Sequence, residues 1–212
     1  MFRNRTAAGR QLAAALLPMA LHDPVVLAIP RGGVPVAAEI ARVLDAPLDL
    51  LLVRKIGAPH QPELAVGAVA EGGAIVMNDD AMLLAGVSRA WVEREAQRQI
   101  LEIERRRDRY LGGRAPIPVA GRPAIVVDDG VATGATVRAA LRLLRHQAPA
   151  RVVLAVPVAS SGTVDELRAF VDDLVCLETP EYFNSVGAHY DDFDQLDDQQ
   201  VGAFLTATTA SH

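Results

Sequence analysis

Ala124-Ile125-Val126-Val127-Asp128-Asp129-Gly130-Val131-Ala132-Thr133-Gly134-Ala135-Thr136 opens on four apolar residues, passes through two adjacent acids, and closes on small residues and hydroxyls. The apolar part reads as a buried strand, and residues 134–147 read as a helix. A helix N-terminus presents unpaired N–H groups and a partial positive charge. Small residues let an anion reach that backbone, and Thr133 and Thr136 add hydroxyl donors. Asp128 and Asp129 repel a phosphate and suit a neighbouring polyol or a hydrated metal ion instead. An anion pocket beside a hydroxyl-and-metal pocket satisfies a sugar phosphate. Other phosphate motifs fail: no Lys-Ser or Lys-Thr follows the glycines, and Arg31-Gly32-Gly33 lacks the Gly-x-Gly-x-x-Gly spacing.

Outward from this stretch, short apolar runs alternate with helical patterns. Strands are expected over residues 25–29, 48–53, 65–71, 74–77, 124–127, 152–156 and 174–177. The pair at 65–71 and 74–77 turns at Gly72-Gly73. Helices are expected over 12–21, 34–44, 88–111, 134–147 and 163–171, with Thr163 and Glu166 as a capping box for the last. Near-continuous Val, Leu and Ile in alternating strands implies an α/β fold, a mostly parallel twisted sheet flanked by helices. Ligands bind such sheets at the strands' carboxyl ends, so the loops after Ile29, Val53, Val127 and Val156 are where chemistry belongs. Residues 111–123, rich in Gly and Pro, read as a loop.

The bulk properties narrow the function classes. The 212 residues suit one α/β domain with an appendage. A net charge of −5 disfavours a general binder of nucleic acid or anionic membranes. The single cysteine, Cys176, makes no intrachain disulfide and suits a reducing, cytoplasmic compartment. Arg3, Arg5 and Arg10 ahead of an apolar run imitate a secretory signal, but Gln11, Pro18 and His22 interrupt it, so the segment reads as a first helix. No stretch is long and apolar enough to span a bilayer.

The quoted stretch resembles the signature of type I phosphoribosyltransferases for 5-phosphoribosyl-1-pyrophosphate (PRPP). That pattern is a hydrophobic run, two acids, four residues ending in Thr, Gly, any residue, Thr. The resemblance implies that Asp128 and Asp129 face the ribose hydroxyls and hold Mg²⁺ directly or through PRPP and water. It implies that Val131, Ala132, Thr133, Gly134, Ala135 and Thr136 cradle the 5′-phosphate. Pro30-Arg31-Gly32-Gly33 resembles the family's pyrophosphate loop, in which Arg31, Gly32 and Gly33 meet the anion. Arg54 and Lys55, the latter the chain's only lysine, follow the next strand and with Arg31 would offset the leaving pyrophosphate's charge. Residues 57–64 resemble the mobile loop that closes over PRPP.

The C-terminal part resembles a small hood over the acceptor, with Phe183 and Tyr190 as stacking rings and Asp192 as a hydrogen-bonding partner. The acids around 191–198 read as a solvated face and helix cap. The division expected is a PRPP-binding core over residues 1–178, with a charged helical insertion at about 88–111, and a hood and helix over 179–212. One departure matters: 6-oxopurine-specific members carry an acid where this chain has Ala132. The whole chain resembles a group of stand-alone phosphoribosyltransferases of unassigned acceptor.

The expected activity is Mg-dependent transfer of phosphoribosyl from PRPP to a nucleobase-like small molecule, with a homodimer as the assembly considered. A PRPP-sensing regulator touching nucleic acid through Arg105, Arg106 and Arg107 is one alternative. A sugar-phosphate hydrolase is another. The mixed charges of residues 88–111 otherwise read as a salt-bridged solvent face, with Trp91, Ile100 and Ile103 on its apolar side.

Overall fold

The computed structural model describes residues 1–209. Helix α1 (Arg5–Leu16) is capped by the Asn4 side chain, which accepts from the Ala7 amide. Strand β1 (Val25–Ala28), helix α2 (Gly33–Leu44) and strand β2 (Leu48–Leu50) follow. Next come β3 (Val53–Ala58), β4 (Gln61–Ala70), β5 (Ile75–Met77), α3 (Asp79–Ala85) and the long α4 (Arg89–Leu111). The chain then alternates through β6 (Pro123–Val127), α5 (Ala135–Arg145), β7 (Arg151–Val158), α6 (Ser161–Arg168) and β8 (Asp173–Glu178), and ends its described part in α7 (Asp198–Thr209).

Five strands form one parallel sheet in the order β2-β1-β6-β7-β8. Alternate residues supply its two faces, as the strand repeat of two demands. Val26, Ala28, Ile125, Val127 and Val153 pack with Leu12, Leu16, Ile40, Val201 and Leu205 of α1, α2 and α7. Val25, Leu27, Val126, Val152 and Leu154 pack with Val137, Leu141, Leu144, Val164 and Leu167 of α5 and α6. The inner strands β1, β6 and β7 are covered on both faces, which is why their sequences are apolar almost throughout rather than alternating.

The expected strand over 48–53 is two strands in two sheets. Pairing with β1 ends at Leu50, Leu51 and Leu52 stay buried through a bend, and Val53 opens a second, antiparallel sheet β3-β4-β5. Residues 57–64, expected as a loop, are instead the end of β3, a two-residue turn and the start of β4, with irregular register around Gly57. The inserted unit is therefore residues 53–111, larger than the helix alone. Helix α3, capped by Asn78, had not been expected. Helix α6 starts earlier than the Thr163–Glu166 box implied: Ser160 is its cap, accepting from the Thr163 amide.

A buried charge cluster joins the insertion to the main sheet. Arg107 of α4 donates to both carboxylate oxygens of Asp49 on β2, each at 3.0 Å, and to Glu71 at 2.8 Å. Asp49 also accepts from the Leu50 and Ile117 amides. Arg107 is thus no surface cation. Arg105 and Arg106 both pair with Glu102. Of the arginine triplet in the nucleic-acid alternative, Arg107 is buried, whereas Arg105 and Arg106 stay on the helix surface with their charge shared with Glu102.

The C-terminal part does not make one hood. Val201 and Leu205 enter the main core, and Asp198 anchors α7 to α4 by accepting from Tyr110 at 2.8 Å and from Arg109. Asp197 caps that helix, accepting from the Gln200 amide. The covering layer near the site comprises residues around 183–194 together with the N-terminal residues. Phe2 and Tyr190 pair through their backbones.

Candidate functional site

Strands β1 and β6 run in register from Val25–Ala124 to Ala28–Val127, so their carboxyl ends stand level. The Ile29 amide continues the ladder by donating to the Val127 carbonyl at 2.9 Å. The loop Pro30–Gly33 and the acid pair therefore emerge side by side. The Pro30–Arg31 peptide is cis. A side chain on Gly32 would place its Cβ 2.0 Å from an oxygen of Asp129, and one on Gly33 would sit 2.5 Å from the Val127 carbonyl oxygen. These two glycines are where the loop touches β6, which explains the pair. Gly32→Ala is expected to displace either the loop or the carboxylate, at a cost of roughly 1–3 kcal/mol. Urea unfolding of the variant is expected to show a midpoint lowered to match.

The acid pair is tightly placed. The Asp128 carboxylate accepts from the Asp129 amide at 2.9 Å. The Asp129 carboxylate accepts from Arg5 Nε at 2.7 Å. Burial, and then the neighbouring Asp129 charge, push the Asp128 carboxyl well above the usual carboxylate range. Burial also raises Asp129, against the opposing pull of Arg5. Two adjacent buried acids of this kind favour a partner that brings hydroxyl donors or positive charge. Among the described residues no group of three or more His, Cys, Asp or Glu converges. A divalent ion at the pair would take its remaining oxygens from a bound sugar phosphate and water.

Beyond the acids the chain forms a cradle. Val131 is fixed by donating its amide to the Val158 carbonyl at 2.9 Å. The Thr163 hydroxyl donates to the Ala132 carbonyl at 2.6 Å, and this is what Thr163 does in place of capping. Gly134 adopts φ 69° at the mouth of α5 and no side chain caps the helix. The first amides of α5 are left for an anion. Ala132, Thr133 and Thr136 are exposed, while Val131 and Gly134 are buried beneath them.

The three basic residues are not gathered together. Arg54 and Lys55 lie within β3, so their side chains leave opposite faces. Arg54 lines a small cavity of about 40 Å³ with Pro30, Arg106 and Thr136, between the glycine loop and the cradle. It is held there by Gln99, its Nε donating at 2.7 Å. Lys55 lines a different cavity, of about 110 Å³, with Asn78, Arg138 and Arg142. Arg31 is exposed, and its charge reaches Tyr110 and Asp198 at the junction of α4 and α7.

Around the hood, the ring of Tyr190 is buried between Phe2, 5.4 Å away, and Phe193, 5.0 Å away. Its hydroxyl donates to the Asp129 carbonyl at 2.6 Å, and burial pushes the phenol up, so it stays a neutral donor. Tyr190 thus fastens the hood to the acid pair and offers no free ring face for stacking. Phe183 stacks on His189 at 5.6 Å. Asp192 is exposed, with its amide bonded to the Arg3 carbonyl.

Arg5 was missed as a site residue. Its guanidinium lies 3.8 Å over the Phe193 ring, with Nη1 donating to the Asp194 carbonyl at 2.9 Å. The available signal was an arginine directly after the Asn4 cap, where the helix dipole disfavours positive charge.

The pattern of the phosphoribosyl transferase domain family matches residues 3–192. Two curated Mycobacterium tuberculosis proteins, provisionally named phosphoribosyl transferases MT0597 and Rv0571c, are each 46% identical over 205 residues. The match takes in 97% of this chain and 46% of each relative, so the chain spans about half the length of those proteins. The crystal structure of TT1426 from Thermus thermophilus is 47% identical, covers 98% of both chains and superposes with a TM-score of 0.88. A hypoxanthine-guanine phosphoribosyltransferase of Bacillus anthracis, 11% identical with a TM-score of 0.50 over 84% of this chain and 80% of its own, shares the fold.

Proposed function

We propose that this chain, which belongs to the phosphoribosyl transferase domain family, binds Mg²⁺-PRPP and transfers its phosphoribosyl group to a nitrogenous, nucleobase-like acceptor with release of pyrophosphate. The observation that carries the reading is the level ending of β1 and β6. It brings the Gly32–Gly33 loop against the acid pair, a few residues ahead of the open start of α5.

The roles follow from the donor types. The α5 amides with the Thr133 and Thr136 hydroxyls take the 5′-phosphate. Asp128 and Asp129 accept from ribose hydroxyls and hold Mg²⁺, which neutralises the pyrophosphate when bound. The loop Arg31–Gly33 and Arg54, beside Thr136 and Pro30, face the departing pyrophosphate. Lys55, on the far face of β3, is placed for this task only if the hairpin moves. Catalysis is then positioning and charge stabilisation, with no covalent intermediate on the protein. Ala132 supplies no proton acceptor, so the acceptor must arrive nucleophilic or lose its proton elsewhere. Phe183 and Asp192 remain candidates for holding it. No helix among the described residues is long and apolar enough to cross a membrane, and a cytoplasmic setting suits a PRPP consumer.

Thermal-shift titration with Mg²⁺-PRPP tests the reading, with ribose-5-phosphate and pyrophosphate as partial ligands. At a hundred times its Kd, PRPP is expected to add about 2.7 kcal/mol of stability. Each fragment is expected to add less. No shift with PRPP would end the proposal.

A further inference from the structure

We propose that Arg5 is a positioning residue of the PRPP site: it clamps the Asp129 carboxylate in the direction that receives the ribose and ties it to the hood. The inference rests on the PRPP reading given above. It assigns a task to a residue outside every motif the sequence displays.

Three contacts on three different groups immobilise the guanidinium. Nε donates to Asp129 Oδ2 at 2.7 Å, Nη1 donates to the Asp194 carbonyl at 2.9 Å, and the plane lies 3.8 Å over Phe193. The ion pair is mostly shielded from solvent, with side-chain exposures of 11% for Arg5 and 13% for Asp129. Such shielding strengthens a charge-assisted hydrogen bond relative to a surface pair. On its other side the same carboxylate lies directly over Gly32, where even a methyl group would overlap it. Asp129 is therefore held between the glycine loop and Arg5, with its backbone carbonyl pinned by Tyr190. Its orientation is fixed before any ligand arrives, which spares a bound sugar the entropy of ordering it.

The base of the clamp is rigid. Arg5 is the first residue of α1, whose Ala8, Leu12, Ala13 and Leu16 are fully or almost fully buried. Phe193, under the guanidinium, in turn packs on Tyr190. A change of direction at Asp129 must move this stack. Lysine replaces the arginine only in charge, because an ammonium has neither the plane that lies on Phe193 nor the fork that reaches two acceptors.

Calorimetric titration of the whole chain with Mg²⁺-PRPP, ribose-5-phosphate and pyrophosphate separates this role from general support of the fold. Arg5→Ala is expected to weaken PRPP and ribose-5-phosphate about tenfold and to leave pyrophosphate titrated without Mg²⁺ within about twofold, because in the absence of the metal only the sugar meets Asp129. Arg5→Lys is expected to fall between. Phe193→Leu, which removes the platform and keeps the charge, is expected to give the same ligand-selective pattern at about threefold. In an Asp129→Asn background, Arg5→Ala is expected to add little, the signature of two residues acting as one. Equal weakening of all three ligands would reduce Arg5 to a structural support and overturn the proposal, as would unchanged sugar binding in Arg5→Ala. If the unaltered chain binds no PRPP, the functional reading itself fails. If it binds PRPP and loses it only on changing Asp128 and Asp129, the functional reading stands and the Arg5 inference alone falls.

Discussion

Replacing Asp128 and Asp129 together by Asn is expected to make the empty protein more stable and, at the same time, blind to PRPP. The two carboxyls are buried side by side, and both are shifted toward their neutral forms. A carboxyl whose pKa is higher in the folded than in the unfolded chain releases its proton more readily on unfolding. Stability is then present in full below the ordinary value of 3.8 and declines as pH rises through the folded value. Near neutral pH the pair thus works against the fold, and Asn of nearly equal shape removes that opposition. Arg5 keeps an acceptor, because the Asn amide oxygen can occupy the place of Oδ2. Single stabilising changes commonly add about 0.5–2 kcal/mol. For a chain of this size that is a rise of roughly 1–8 °C in melting temperature. Melting curves from pH 4 to 8 are expected to show a decline in the unaltered protein that is shallower in the variant. The Mg²⁺-PRPP shift is expected to vanish. A variant that melts lower, yet still responds to PRPP, would mean that the pair is structural.

The second large effect is expected at Asp49. Its carboxylate, only 2% exposed, accepts two hydrogen bonds from Arg107 and one from each of two backbone amides. Asp49→Ala leaves a buried guanidinium without its principal partner and two amides without acceptors. Breaking one side of such a pair costs about 3–5 kcal/mol, a large part of a typical domain's stability. Urea unfolding is expected to show a midpoint lowered to match. Replacing all three charges, Asp49→Leu with Arg107→Met and Glu71→Gln, is expected to recover much of the loss, because it removes every stranded charge as well as the bonds. If the triple replacement is as damaging as Asp49→Ala alone, packing rather than charge governs the junction.

The sequence made the main sheet legible because β1, β6 and β7 are apolar on both faces, a pattern that only a doubly covered strand requires. The candidate cradle between β6 and α5 could be picked out for a related reason: its residues lie in one short run, so spacing alone brings them together. What lay beyond reading depends on contacts distant along the chain. Residues 48–53 are apolar except for Asp49, and nothing in that run shows the chain passing from one sheet to another at Leu51–Leu52. Arg107 sits among surface arginines and differs from them only through Asp49, 58 residues earlier. Tyr190 and Asp192 look alike as candidates in a loop, yet one is buried and the other exposed, because Phe2 and Phe193 cover the ring of the first. Lys55 was read as a neighbour of Arg54, whereas strand geometry turns adjacent residues to opposite sides.

The pairing of Val25 with Ala124 has a consequence for how the protein acquires its ligand site in time. The two strands that carry the site lie about a hundred positions apart, and their contact closes a chain loop that contains the whole of the second sheet and α4. Closing so long a loop is entropically slow and is rewarded only once both strands are in place. A nascent chain that has emerged only as far as α4 can build the β3–β4 hairpin from local contacts, but half of its ligand-binding edge has not yet been made. Recognition should therefore appear abruptly and late during synthesis, after β6 and the start of α5 leave the ribosome.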